Sequence, residues 1–385
     1  MSWHSRQGRR TKSRAGKGLL LNRRQMLVGA GATVAVAGAT AYATLSAMGS
    51  PSDYAEGIAS LRAPLAHTPS GLDLVRYATL APNGHNTQPW RFRLGAKRIE
   101  ILPDFSRRTP VVDPDDHHLF VSLGCAAENL SLASAARGAP GVVGFDPRGG
   151  VVRFDFERAA AIPSAMFDAI GRRQSTRGVY DGRGVDTATL TMLAKAVATV
   201  PGVGLVLMTD RTQIDRLRDL VLAGNDAQMA DDAFVRELKS WLRFNPQQAL
   251  RTRDGLYSVA SGNPALPDWL GPPAFDWFST AQSQNEQYAR QIRSSAGIAV
   301  FVGAGAHPEH WVRVGQACQR FALQATALGM KHAFLNQPVE VPRLRPELAS
   351  LVGLPGRRPD IVIRFGYGPA TPWSARRRAE SVIIT

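Results

Sequence analysis

Cysteine is nearly absent from this chain of 385 residues, which has only Cys125 and Cys318. Two thiols cannot build a disulfide framework, and both lie in apolar, small-residue stretches where an inert buried thiol is expected. No Cys follows the apolar run near the N-terminus, which argues against a lipid-modified protein. Neither His117-His118 nor His307-Pro308-Glu309-His310 has a third ligand at metal-site spacing, so no metal centre is expected. No nucleophile elbow and no Ser-His-Asp order is visible. Acidic residues are missing from positions 1–24, which hold eight Lys and Arg and so +8 of the net +15. The basic balance is half a property of that tail, and nucleic-acid binding loses its main support. Charge of either sign is missing from Gln25 to Ser52, and Met26–Met48 within it is long enough to cross a bilayer as a helix. Its Gly29-Ala30-Gly31 lacks the strand and βαβ surroundings of a dinucleotide loop.

What remains is an ordinary globular composition, 44% apolar and 20% charged, in a chain longer than one typical domain. Strand alternation runs through Trp90–Leu94, Arg98–Pro103, Val151–Phe156 and Val203–Met208, and recurs at Ile298–Val302 and Asp360–Phe365. Helical patterns cover Leu72–Ala81 and about 187–198. Two further helices, roughly 118–138 and 311–330, are dense in Ala, Ser and Gly, which lets backbones approach closely. Aligning Cys125 with Cys318, an offset of 193, pairs Val121 with Val314, Leu130 with Leu323 and Ala135 with Leu328. A weak internal repeat is expected, in an α+β fold with helices packed on mostly antiparallel sheet. Between about 222 and 291 the composition changes. Five prolines and several Trp and Phe residues, among them Trp241, Trp269, Trp277, Phe244, Phe275 and Phe278, mark an insertion that can bury area, either as a lid or as a packing subdomain.

Two clusters carry chemistry. Arg172-Arg173-Gln174-Ser175-Thr176-Arg177 places Arg173, Ser175 and Arg177 on one side of an extended turn. Planar guanidinium groups and a hydroxyl suit the oxygens of a phosphate monoester. In Pro82-Asn83-Gly84-His85-Asn86-Thr87-Gln88-Pro89-Trp90, the amides of Asn86 and Gln88 suit a heterocycle edge that needs donors and acceptors together. Asn83 and Gly84 permit a positive-φ approach, Trp90 reads as a core anchor, and His85 faces either a ligand or the core.

Together the two clusters resemble the halves of the flavin mononucleotide (FMN) site of nitroreductase-like proteins, where one subunit gives an Arg-x-Ser-x-Arg phosphate cradle and the other a loop beside the flavin ring. The resemblance covers about residues 70–385 outside the insertion. It implies a nitroreductase-like α+β fold, internally duplicated as a pseudo-dimer with long interface helices. By the same resemblance, Gly329–Pro338 passes the flavin's reactive edge with Leu335 and Asn336, the Asn336 backbone N–H being the donor. Arg376 and Arg377 stand where the clamp has its second arm. Each half lacks the other's motif, so one FMN per chain is implied. The family chemistry is two-electron transfer from a donor such as NAD(P)H to a flat nitro or quinone acceptor; the alternative is a protein that holds FMN without turnover.

Asn22-Arg23-Arg24-Gln25-Met26-Leu27 before the apolar run resembles a twin-arginine (Tat) export signal, as in the Acg-type branch of that superfamily. A plain membrane anchor is the other reading, and either places the body beyond the inner membrane. Small residues near Ala43–Gly49 permit cleavage without fixing it. The implied organisation is a basic tail over 1–24, a signal or anchor over 25–50, a first half over 51–160 with the ring loop, and a second over 161–385 with the clamp and the insertion.

Overall fold

The structure, a computed structural model, describes residues 46–384; the basic tail, Arg23-Arg24 and most of the apolar run lie outside the described residues. Two helices lead in, α1 (Pro51–Ala59) and α2 (Gly71–Ala78). Each opens on a serine whose hydroxyl accepts the N–H of an aspartate three residues on, while that aspartate accepts the serine N–H. The first sheet then forms from β1 (Trp90–Leu94), β2 (Arg98–Pro103), β3 (Gly141–Asp146) and β4 (Val151–Phe156), with α3 (His117–Ala135) linking β2 to β3. Its order is β1-β2-β4-β3 and every pairing is antiparallel. Trp90, Phe92, Ile99 and Ile101 turn inward because alternate side chains share a face.

After α4 (Ala165–Ala169) and α5 (Thr187–Ala198), strand β5 (Val203–Met208) starts the second sheet. An insertion follows, with α6 (Arg211–Met229), α7 (Asp232–Ser240), β6 (Leu242–Arg243), α8 (Pro246–Thr252), β7 (Leu256–Tyr257), α9 (Gly271–Phe278) and α10 (Ala281–Arg293). The sheet resumes with β8 (Gly297–Gly303), crosses through α11 (Pro308–Ala327) to β9 (Lys331–Phe334), passes α12 (Gln337–Glu340) and α13 (Arg345–Leu351), and ends with β10 (Ile361–Gly366). Its order is β5-β8-β10-β9, again antiparallel throughout. With β1 to β4 matched to β5, β8, β9 and β10, the two sheets share one strand order, and α3 and α11 occupy the same place in it. Strands β8 and β10 are buried on both faces: Ala299, Phe301, Ile361 and Ile363 enter the main core, while Ile298, Val300, Val302 and Val362 enter a second one with α6 and α13. Near-continuous apolar runs, broken here only by the buried Arg364 of β10, are the signature of strands covered on both sides.

Helices α3 and α11 cross at Gly124 and Gly315. A Cβ on Gly124 would stand 2.0 Å from the Val312 carbonyl oxygen, and one on Gly315 2.0 Å from that of Val121. The backbones therefore touch, as only glycine allows. Flanking contacts repeat the exchange: Gln319 donates to Asn129 Oδ1 at 2.6 Å, and Arg320 to Glu128 Oε1 at 2.6 Å. The crossing is thus self-complementary with an offset of 191, not the 193 obtained from the cysteines. The glycines fix the register; Cys125 is buried and donates to the Gly315 carbonyl, and Cys318 is a buried free thiol. Among the described residues, no helix is long and apolar enough to cross a membrane.

Candidate functional site

The loop before β1 is backbone-strained. His85, Asn86 and Gln88 all have φ between 45° and 55°, a region costly for residues with a Cβ. The positive φ expected at Asn83 and Gly84 falls on their neighbours instead. Asn83 Oδ1 accepts the Gln88 N–H at 2.8 Å and closes the turn. Asn86 donates to the carbonyls of Gly255 and Ala375 at 2.9 and 3.1 Å and accepts from Arg376 at 2.7 Å. Gln88, fully buried, donates to the Arg253 carbonyl at 2.8 Å and accepts the Arg377 N–H at 2.8 Å. Both amides assigned to a ring edge from sequence are therefore committed to the protein. They hold the loop, Asn86 also bordering the cleft of the arginine cluster, and Pro82, Asn83, Gly84 and His85 are what it presents to the larger cavity beside it. The His85 Nδ1 is buried without a partner among the described residues, and burial next to Arg177 pushes the imidazole down to about 4.

The arginine cluster leaves α4 as a turn pinned to β9, with the Thr176 N–H donating to the His332 carbonyl at 2.8 Å. Arg173 is 2% exposed. Its Nη2 donates to the Leu80 carbonyl at 2.8 Å, while Nε and Nη1 are buried with no acceptor among the described residues. Burial pulls this guanidinium down to about 10. Arg177 and Ser175 line the same cleft; Arg177 too is lowered by burial, and its side chain has no acceptor among the described residues. Gln174 lines it as well but accepts the Thr371 N–H at 3.1 Å, so it ties in the C-terminal segment.

Four expectations are corrected here. Arg172 is exposed and reaches back to the Asp168 carbonyl, outside the cleft. Arg377 turns away to the carbonyls of Gln88 and Ser381. Leu335 is buried in the second core. Arg376 lines the cleft but spends four of its five N–H donors on Thr79, Ala81, Asn86 and Ala375, so it acts mainly as a latch. Sequence reasoning missed Arg62, which lines this cleft, donates to the Gly171 carbonyl at 2.8 Å and lies 4.7 Å from the Trp373 ring centre.

The cleft, with a cavity volume of about 50 Å³, continues into a larger one of about 210 Å³. Pro82, Asn83, Arg177, Leu256 and Phe334 border both. The insertion walls the larger cavity with Asn225 and Gln228 from α6, Phe234 and Leu238 from α7, and Tyr288 from α10. The opposite wall carries His118 of α3, and Asn336, Gln337 and Glu340 around α12. Asn336 Oδ1 accepts the Val362 N–H at 3.0 Å, whereas its own backbone N–H has no acceptor among the described residues. Glu340 lies 3.5 Å from His118 Nε2. Burial pushes that carboxyl up to about 7 and holds His118 well below the usual imidazole range.

No family model matches the chain. Two curated relatives, from two strains of Mycobacterium tuberculosis and provisionally named NAD(P)H nitroreductases, are 24% identical over 326 residues, spanning 80% of this chain and 90% of theirs. Among solved structures, an FMN-dependent nitroreductase of Mycobacterium smegmatis in complex with NADPH matches 57% of this chain and 98% of its own, with 13% identity and a TM-score of 0.40. A nitroreductase with bound FMN from Desulfitobacterium hafniense matches 58% of this chain and 100% of its own, with 13% identity and a TM-score of 0.37. These structural likenesses are too distant to bear on function.

Proposed function

We propose that this chain is an FMN-dependent oxidoreductase of the nitroreductase type, holding one FMN and passing two electrons to a flat acceptor such as a nitro compound or quinone. The observation that carries the reading is Arg173, a buried guanidinium with two nitrogens lacking acceptors in a cleft shared with Ser175 and Arg177. Buried donors of this kind need partners, and a phosphate monoester supplies them with opposite charge. Arg62 adds a fourth polar wall. The adjoining amide-rich cavity suits a heterocycle, and the free Asn336 N–H is an available donor to it. The relatives' names support a nicotinamide nucleotide as the class of reductant. When bound, FMN supplies the two-electron chemistry. The protein's own part is to neutralise the phosphate through Arg173 and Arg177, and to exclude water with Phe234, Leu238, Leu256 and Tyr288.

The common strand order and the self-complementary helix crossing support two halves, 51–160 and 161–385, derived by duplication, with the segment about 222–291 as the lid. One half then gives the ring loop and the other the phosphate cluster, which is why there is one site. The lidded single site and Arg23-Arg24 before a charge-free run support an Acg-type protein. It is exported by the Tat machinery to the cell envelope, its leader cut or kept as an anchor.

A second reading, FMN held without turnover, is favoured by the insertion, which walls the cavity on one whole side. The test is to purify the protein and follow bleaching of bound flavin by NADPH, NADH and dithionite. Bleaching by a nicotinamide nucleotide supports the enzyme, and bleaching by dithionite alone selects the second reading. A colourless protein that takes up no FMN refutes both.

A further inference from the structure

The larger cavity is lined by a carboxyl group that pairs with no Lys or Arg among the described residues. Glu340 ends the short helix α12, and its side chain, 19% exposed, lines the cavity wall. Oε2 accepts from Gln228 Nε2 at 2.7 Å, and Oε1 lies 3.5 Å from His118 Nε2. Gln228 comes from the insertion and His118 from the central helix, so the acid is fixed from two sides. Arg345, whose charge reaches it, directs its Nε to the Val339 carbonyl. Asp113, which caps α3 at the His118 and Leu119 N–H groups, and Tyr288 on α10 are the other titratable groups facing it. Asp113 raises Glu340 and Arg345 lowers it, but burial dominates, so the carboxyl stays protonated up to about pH 7. A glutamine would accept the same hydrogen bond from Gln228 without the desolvation penalty of an ionisable group. An acid kept neutral on a cavity wall is the arrangement that proton donation requires.

We propose that Glu340 is the proton donor of this cavity, giving its carboxyl proton to an oxygen of a quinone- or nitro-type acceptor, with His118 and Gln228 as positioning residues. The proposal rests on the oxidoreductase reading above. For a quinone, one hydride from the cofactor, reduced beforehand by a nicotinamide nucleotide, and one proton from Glu340 convert two carbonyls into two hydroxyls. The O–H bond of the carboxyl breaks, that of the hydroquinone forms, and water restores the acid. His118, kept neutral by burial, can accept from the protonated carboxyl and aim it without taking its proton.

The test uses the FMN-loaded protein and Glu340→Gln. In infrared titrations of loaded and flavin-free protein, the parent should show a protonated-carboxyl stretch that vanishes above about pH 7 and is absent from the variant. With dithionite-reduced protein mixed with 1,4-benzoquinone, parental reoxidation should fall as pH rises through that range. The variant should be slower by on the order of 100-fold below it, with a flat profile and an unchanged KM. Glu340→Asp, which keeps an acid but withdraws it from His118 and Gln228, should retain the pH break at reduced rate. A yellow Glu340→Gln protein with the parental rate and pH profile overturns the proposal alone, as does a carboxyl ionised throughout. A protein that takes up no FMN overturns the reading beneath it as well.

Discussion

Replacing Arg173 by Met should move two properties in opposite directions. In the flavin-free protein the guanidinium is 2% exposed, keeps one carbonyl partner and leaves two nitrogens without any. Burial lowers it from the ordinary arginine range to about 10, the direction expected where the fold disfavours the charge. At about 1.4 kcal/mol per pH unit this is a penalty on the order of 3 kcal/mol. Methionine removes the penalty, keeps much of the volume, and leaves the Leu80 carbonyl unpaired at about 1 kcal/mol. The flavin-free variant should therefore be more stable by about 1–2 kcal/mol, a few degrees in Tm for a protein of this size. FMN binding should instead weaken by about 3 kcal/mol or more, over 100-fold, because two charge-assisted bonds to phosphate are lost. Thermal unfolding with and without FMN and a flavin-fluorescence titration give both numbers. A variant that binds FMN like the parent, or whose flavin-free form melts lower, would refute the assignment of those nitrogens to a ligand.

Gly315→Ala places a methyl carbon against the Val121 carbonyl, and Gly124→Ala does the same at Val312; each should cost about 2–4 kcal/mol in denaturant unfolding, with both helices forced apart. Glu340→Gln should be increasingly more stable than the parent as pH rises. A carboxyl raised by folding favours the protonated form, so its contribution is whole below the ordinary glutamate range and lost on passing about pH 7, for a relative gain on the order of 2–3 kcal/mol at pH 8. Stability curves of the two proteins that run parallel between pH 5 and pH 8 would exclude that environment. Replacing Arg23-Arg24 with Lys-Lys should leave the protein in the cytoplasm on fractionation, and undiminished export would remove the Tat assignment.

How far the sequence could be read depended on whether the controlling contact was local. The alternation of Trp90–Leu94, Arg98–Pro103, Val151–Phe156 and Val203–Met208 marks four strands to the residue, since each has at least one buried face to enforce the period. Strands β3 and β9 escaped because their own residues carry little strand signal. One carries Gly141 and Gly144, and the other is four residues long with a lysine and a histidine. The helix ends drifted by about three residues where Pro308 at the first turn and Gly138 at φ 77° set the boundaries. In the site, the cluster at 173–177 was legible as chemistry because its members are neighbours in sequence. Arg62, Glu340 and His118 were not, because what qualifies them is contact across a hundred residues or more, with Gly171, Gln228 and each other. Asn86 and Gln88 were recognised by type and misassigned by destination: a carboxamide fits a pair of backbone carbonyls as well as it fits a heterocycle.

That misassignment leads to the sharpest separation of roles within the site. Three residues with positive φ in one short loop cost on the order of 1–3 kcal/mol each, and the bonds from Gly255, Ala375, Arg376, Arg253 and Arg377 are what hold them. The wall formed by Pro82–His85 therefore keeps its shape before any ligand arrives, which lowers the ordering cost of binding. Asn86→Ala removes two donations and one acceptance at once and leaves a buried Arg376 nitrogen without that partner. It should lose about 2–4 kcal/mol of stability in the flavin-free protein, and FMN should dissociate faster because the wall is no longer fixed. Arg173→Met and Asn86→Ala would then both lose flavin while moving Tm in opposite directions. If both lowered the flavin-free Tm, Arg173 would be a structural residue like Asn86, and the cleft would have no claim to a phosphate.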